Sequence, residues 1–476
     1  MVNMTVSNQC YESNNLLDFD VSNWPSSSDG ISFTLRLEGM LHGDIDGRNR
    51  SRQRNIIRLK KARNRPDIVN LSVHYSCCVD VLQLEAIKSL VKYDNRDWIS
   101  FTMTGINEVF DLYSPQTFSD ETPFLLPALK DIRVLNLQST TMNRGHGLEL
   151  ILEKISSFPS LIELRLEGWQ IDRISASRLI KSLRCQDKNL IRLLAIRSCR
   201  FLGENSFNIV FNGLKYIEHL KNFDVGNCNL DDSEILPMVQ AIRTHPGIEN
   251  VNLQNNCCRR QSSIDIIAEW IREGNCKLRS LNVGALWTGF SEDGLMQRFV
   301  DPIPLFAAIA QNSSLSSLNV SGNCLENEDV RRFTDLLLSR PRISNLCFLD
   351  VGVNPFNENG ARSLIQLVSN LKTIQTIKFE NSVMKYECTE LIKIQVETNF
   401  FDSVFGKTVD LPLSLCPYVF AHIQRGSKKL NSRQYSKRST DHIYGLLRRS
   451  TGCYGQQLSL RIALQNVKNI NRTTTY

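Results

Sequence analysis

One apolar spacing recurs along this chain and constrains its fold more than any single motif. It runs Leu220-x-x-Phe223-x-Val225-x-x-Cys228-x-Leu230. It returns from Leu315 through Leu318, Val320 and Asn323 to Leu325, and from Leu346 through Leu349, Val351 and Asn354 to Phe356. The first apolar position of each copy falls at Ile132, Leu161, Ile191, Leu220, Ile248, Leu278, Leu315, Leu346 and Ile374. The steps between them are 29, 30, 29, 28, 30, 37, 31 and 28 residues. Self-similarity at a fixed period outranks any local reading. Weaker copies precede these, Ile68-x-x-Leu71-x-Val73 and Trp98-x-x-Phe101-x-Met103, and a degenerate Leu35-x-Leu37 reads as an atypical capping unit.

Within a unit, the apolar residues at positions 1, 4 and 6 point inward from a short strand. Position 9 is where the chain turns away, and a small polar or thiol side chain there can pair backbone groups that burial would orphan. It holds Thr140, Cys199, Cys228, Asn256, Asn323, Asn354 and Ser382, while Trp169 and Leu286 depart from the rule. Between strands the apolar period changes from 2 to about 3.6, which marks helix. Leu148, Ile151, Leu152, Ile155 and Phe158 form one such stripe, and Ile264, Ile267, Ala268 and Ile271 another. Ser262-Ser263-Ile264-Asp265 has a capping-box spacing at the start of the second. Asp329 to Leu338 and Ala361 to Val368 behave alike. Each unit is therefore one strand plus one helix. No unit can bury its own apolar face, so the units must stack.

These residues resemble a leucine-rich repeat. The unit length, with a full helix, is similar to the ribonuclease-inhibitor type over roughly residues 60 to 400. The resemblance implies an α/β right-handed solenoid, or horseshoe, with a concave parallel β-sheet and convex helices. About nine repeats are clear and two or three degenerate. The expected organisation is a flexible N-terminus at 1–27, the solenoid at 28–400 with clear repeats over 129–398, and a basic C-terminal segment at 401–476. That last segment is expected to hold short helices and a flexible linker. Its run from Leu411 to Phe420, with Ile443 to Arg448, resembles a C-terminal segment of microalgal leucine-rich-repeat proteins of unassigned function. Cys416 stands where those proteins carry tryptophan.

Charge is unevenly placed. From Ala421 to Tyr476 there are eleven Lys/Arg and one acidic residue, Asp441, a net +10. The whole chain is +7, so the rest is −3. For the basic run Arg425 to Arg438 three readings stand: a solvated linker, a nuclear-localisation or nucleic-acid patch, or attraction to an anionic membrane. No apolar run approaches the ~20 residues of a membrane helix, and Met1 to Asn15 lacks the order of a signal peptide. A cytoplasmic protein is expected, with a nuclear location also open. The 14 cysteines are expected to be reduced, since Cys199 and Cys228 hold a buried repeat position and the adjacent pairs Cys77-Cys78 and Cys257-Cys258 lack zinc-site spacing.

Motifs of catalysis are missing from the sequence. Gly289 and Gly294 have the separation of a phosphate-binding loop, but Leu295-Met296 follow instead of Lys-Ser/Thr. The seven histidines are scattered, with no HExxH, and no Gly-x-Ser-x-Gly elbow occurs. The chain reads as a non-enzyme, with no cofactor and no metal.

The expected partner is another protein, bound on the concave strand face. Outward residues alternate with the apolar ones. The candidates are Asn136, Arg165, Glu167, Arg197, Asp224, Asn252, Gln254, Asn282, Asn319, Asp350 and Lys378. Arg165, Glu167 and Arg197 form a charge cluster that either meets a partner or pairs across strands. The 37-residue step inserts extra chain over 286–302. There Trp287 and Phe290 form either a recognition knob or a cap folded back on the sheet edge. Ran-GTPase-activating proteins are built on similar repeats, so the resemblance also admits a small-GTPase regulator, or an adaptor subunit.

Overall fold

The computed structural model describes residues 31–38, 68–76, 100–104, 132–139 and 148–405, the last with gaps at 185–189, 204, 274–275, 291–295, 341–343 and 380–385. Twelve strands among these residues form one sheet. They are β1 (Ile31–Glu38), β2 (Ile68–Ser76), β3 (Ser100–Thr104), β4 (Val134–Gln138), β5 (Glu163–Glu167), β7 (Leu193–Arg197), β9 (Asn222–Asp224), β10 (Asn250–Asn252), β11 (Ser280–Asn282), β14 (Ser317–Asn319), β15 (Phe348–Asp350) and β16 (Thr376–Lys378). Their order in the sheet is their order in the chain. Every adjacent pair is parallel, and equivalent repeat positions face each other, as with Asn252 and Asn282 or Leu164 and Leu194. The degenerate N-terminal copies are strands of this same sheet, β1, β2 and β3.

Helices alternate with the strands: α1 (Leu148–Lys154), α2 (Arg173–Arg184), α3 (Ser206–Gly213), α4 (Asp232–Arg243), α5 (Gln261–Arg272), α6 (Ile303–Gln311), α7 (Asn327–Ser339) and α8 (Glu358–Asn370). Each packs on the next. The Leu148 to Phe158 stripe is α1 followed by a 3-10 turn, Ile155–Ser157. A last helix, α9, spans Tyr386–Phe405. The chain divides into two units, Met1–Val396 and Glu397–Tyr476. The N-terminus at 1–27 and everything beyond Phe405, including the basic run and the Leu411 to Phe420 segment, lie outside the described residues.

One strand, one helix and a continuous apolar interior make a leucine-rich-repeat solenoid. Positions 1, 4 and 6 are buried in each complete described repeat up to Val351, for example Leu220, Phe223 and Val225. A separate two-stranded parallel sheet is formed by β6 (Gln170–Ile171) and β8 (Arg200–Phe201), which follow β5 and β7 in the chain. The long sixth repeat adds an antiparallel ribbon, β12 (Thr288–Phe290) with β13 (Met296–Arg298).

In six described repeats position 9 ties the unit to the one before. Asn256 Nδ2 donates to the Val225 carbonyl at 3.0 Å, Asn323 Nδ2 to Val283 at 2.7 Å and Asn354 Nδ2 to Val320 at 3.2 Å. Cys199 and Cys228 direct Sγ at the carbonyls of Leu166 and Ile196. In each case the acceptor is position 6 of the preceding repeat. Trp169 obeys the same rule, because its indole Nε1 donates to Leu137 O at 2.9 Å. Leu286 cannot donate. The carbonyl it would have served, Leu253, is instead paired by Asn256 of its own repeat at 2.9 Å.

Position 8 is left-handed in seven consecutive repeats. Gly168, Ser198, Asn227, Asn255, Ala285, Gly322 and Val353 have φ between 47° and 75°. This conformation turns their N–H toward the next repeat. Asn227 N donates to Gln254 O at 2.8 Å and Gly322 N to Gly352 O at 2.9 Å. At Gly168 a Cβ would fall 2.6 Å from the Ser139 carbonyl oxygen, so glycine is required there.

The expected capping box at Ser262 is not formed. Helix α5 begins at Gln261 and has no side-chain cap. Asp232 of the preceding helix takes that role, accepting from Arg259 N, Arg260 N and Ser263 Oγ at 3.0, 3.1 and 2.6 Å. A carboxylate at a helix start satisfies orphan N–H groups and suits the helix dipole. Reciprocal boxes form instead at Asp231 with Glu234 and at Glu326 with Asp329.

Candidate functional site: the strand face

The face opposite the core carries positions 3, 5 and 7, since strand side chains alternate. Position 5 does not stand out into solvent. Asp224, Asn252, Asn282 and Asn319 are all buried. Each turns its side-chain oxygen onto its own strand. The Oδ1 atoms of Asp224, Asn252, Asn282, Asn319 and Asp350 accept from the N–H two residues on, at 2.9, 3.1, 3.0, 2.8 and 2.9 Å. Five consecutive repeats thus share one side-chain turn. In four of the five a small position 7 makes room for it, and Gln254 is the exception. At Gly226 a Cβ would lie 3.2 Å from Asp224 Oδ1, and at Gly284 it would lie 3.0 Å from Ser321 Oγ.

The turn pairs strand-end N–H groups that the short strands leave free. Adjacent rows then bond sideways: Asn282 Nδ2 donates to Gln254 Oε1 at 2.6 Å, and Asn250 Nδ2 to Asn222 Oδ1 at 2.5 Å. Seven of the eleven strand-face candidates remain half-exposed. Asn136, Arg165, Glu167, Arg197, Gln254, Asp350 and Lys378 keep partial access. Lys378 Nζ lies 5.8 Å from the centroid of the Phe348 ring. Position 3 supplies further face residues that the alternation implies and that were not singled out: Glu163, Asn222, Asn250 and Phe348.

Each member of the charged cluster is paired by a residue outside it. Arg165 Nη2 bonds Glu163 Oε2 at 2.9 Å, and Gln138 Nε2 donates to Glu167 Oε2 at 2.8 Å. Arg197 Nε lies 3.4 Å from Asp224 Oδ2, whose side chain is 1% exposed against 22% for the arginine. Burial pushes the Asp224 carboxyl above the usual carboxylate range, while Arg197, the Gly226 N–H and Asn252 oppose that shift. Beside the pairs, Asn136 Oδ1 is buried with no hydrogen-bond partner among the described residues.

The inserted loop resolves one alternative. Trp287 is 0% exposed and belongs to the core, with its Nε1 unpartnered among the described residues. It is folded back, not displayed as a knob. Phe290 ends strand β12 of the antiparallel ribbon.

Elsewhere the reactive side chains are muted. Burial pushes the Cys199 thiol up to about 12 and raises those of Cys228 and Cys258 strongly. The eight described cysteines are free thiols. His245 accepts from Gly247 N through Nδ1 at 3.1 Å, so its proton sits on Nε2, 3.0 Å from Ile217 O. Among the described residues no three His, Cys, Asp or Glu converge as a metal site, and no helix is long and apolar enough to cross a membrane.

No protein-family model matches this chain, and no curated protein does. Among solved structures it is similar to TLR13 in the TLR13–ssRNA13 complex, at 14% identity over 66% of this chain, with a TM-score of 0.34. This chain spans 40% of that TLR13 chain. An internalin from Listeria monocytogenes is similar at 15% identity over 50% of this chain and 81% of its own, with a TM-score of 0.26. A Bacteroides fragilis protein is similar at 14% identity, over 61% and 69%, with a TM-score of 0.32. Overlaps this low do not bear on what the present chain binds.

Proposed function

We propose that the protein is a non-catalytic scaffold that binds another protein on the strand face of its solenoid. The ladder of position-5 side-chain turns carries this reading. Five repeats hold Asp224, Asn252, Asn282, Asn319 and Asp350 against their own backbone, so the face is ordered before a partner arrives. A preorganised surface loses little conformational entropy on association. The buried members shape the surface. Contact falls to the half-exposed residues: Asn136, Arg165, Glu167, Arg197, Gln254 and Lys378. Helices of 12 and 13 residues in α2, α4, α5, α7 and α8 support the ribonuclease-inhibitor-like type of repeat.

The test is affinity purification from the native cell with wild type and with Gln254→Arg/Lys378→Glu. Loss of the captured partner, with the melting temperature unchanged, supports the reading. Arg165→Glu/Arg197→Glu extends the test to the charged cluster. A small-GTPase regulator would instead accelerate phosphate release from a GTP-loaded GTPase panel. That result would replace the scaffold reading.

A further inference from the structure

Several exposed cations on the rim of the sheet, where helices end and strands begin, have no carboxylate partner among the described residues. Position 2 opens each strand, and its backbone forms an unbroken ladder. Ile162 N donates to Arg133 O, Arg192 N to Ile162 O and Lys221 N to Arg192 O, at 2.8, 2.8 and 2.9 Å. The side chains of this row therefore stand one strand spacing apart, about 4.8 Å. Helix C-termini add to the same rim. Lys181 and Arg184 close α2, and Lys215 lies in the 3-10 turn Leu214–Tyr216.

Lys181, Arg184, Arg192 and Lys215 are exposed, and among the described residues no carboxylate lies within ion-pair reach of them. Further along the row Lys221 and Arg279 pair with Glu249, and Arg243 pairs with Glu273, while Arg133 is exposed like Arg192. Tyr216, 39% exposed, gathers two of the four. Arg184 Cζ lies 4.6 Å from its ring centroid and Lys215 Nζ 5.1 Å. The helix dipole accounts for Lys181 and Arg184, since cations are favourable at a C-terminus. It does not account for Arg192, which opens a strand, or for crowding two cations on one ring.

We infer that this rim, centred on Arg184, Arg192, Lys215 and Tyr216, docks an Asp/Glu-rich segment of a protein partner. The inference deepens the scaffold reading by naming the chemistry of what is bound. Carboxylates on alternate residues of an extended segment are spaced about 6.6 Å apart, within reach of side chains on neighbouring repeats. A peptide fits better than a nucleic acid strand. Single-strand binders align several stacking aromatics with a continuous positive groove, whereas here one ring, Tyr216, stands among the cations.

The experiment uses the full chain and a short Asp/Glu-rich peptide bearing a photo-crosslinker, with a single-stranded RNA oligonucleotide as competitor. The expected adducts map to residues 181–221. Arg184→Glu/Arg192→Glu/Lys215→Glu should weaken peptide binding by roughly tenfold or more, because rim charge reversal adds repulsion. The neutral variant R184Q/R192Q/K215Q should weaken it less, with an unchanged melting temperature. Adducts confined to 421–476, affinity unaltered in both variants, or displacement of the peptide by RNA at this rim would each overturn the inference. The probe requires no native partner, so its failure leaves the strand-face reading standing.

Discussion

The indole Nε1 of Trp169 donates to the carbonyl of Leu137 at 2.9 Å, which is the bond that Asn256, Asn323 and Asn354 make with an amide. What the repeat needs at position 9 is a donor aimed at the preceding unit, not a small side chain. Trp169→Phe keeps most of the volume and removes the donor. We expect a loss of about 1–3 kcal/mol, the cost of orphaning a buried acceptor. Asn256→Cys should be milder than Asn256→Ala, since a thiol keeps one donor. Urea denaturation followed by tryptophan fluorescence and circular dichroism would rank these variants.

Val353 occupies the left-handed position 8 with φ of 54° and is 37% exposed. A β-branched residue there is strained, at roughly 1–2 kcal/mol for an L side chain. Asn227 and Asn255 hold the equivalent place. Val353→Asn should therefore raise the melting temperature, by relief of about 1 kcal/mol. Asn227→Val should lower it. A fall in Val353→Asn would show that the valine makes a compensating contact.

Asp224 and Arg197 should be coupled. Fully buried pairs cost roughly 3–5 kcal/mol when one partner is removed, and the partial exposure of Arg197 reduces this to about 2–3 kcal/mol for Arg197→Met. Asn at 252, 282 and 319 makes the same bond to the N–H two residues on. Asp224→Asn should thus be tolerated and should rescue Arg197→Met. A double-mutant cycle with additive effects would refute the coupling.

His245 predicts a pH response. Burial, and then Lys221, depress its folded-state pKa, and its Nδ1 already accepts from Gly247 N. The unfolded chain takes up a proton as pH falls through about 6.5, before the folded chain does. Stability contributed here is present above that value and is lost on acidification below it. His245→Gln should flatten the dependence of melting temperature on pH between neutral and mildly acidic conditions.

The period of 28 to 31 residues fixes strand, helix and core, because positions 1, 4 and 6 are read by burial alone. The repeat reaches β1 at a longer step, since Leu35 faces Val73, 38 residues on. The strand face was less legible. Simple alternation places Asn252 and Asn282 outward, yet they fold onto their own backbone. For Asn282, as for Asp224, the signal was present in the small residue two places on, Gly284 and Gly226, which leaves room for that turn, while Gln254 gave none for Asn252. Trp287 was ambiguous because an inserted segment has no period to read. The rim cations were missed because position 2 precedes the alternating stretch.

Hydrogen–deuterium exchange of the full chain, alone and with its purified partner, tests the scaffold most directly. Binding on the strand face predicts protection of the backbone in β4, β5, β7 and β10 and of the turns through Gly168, Ser198 and Asn255. Protection confined to the helices, or to residues beyond Phe405, would contradict it.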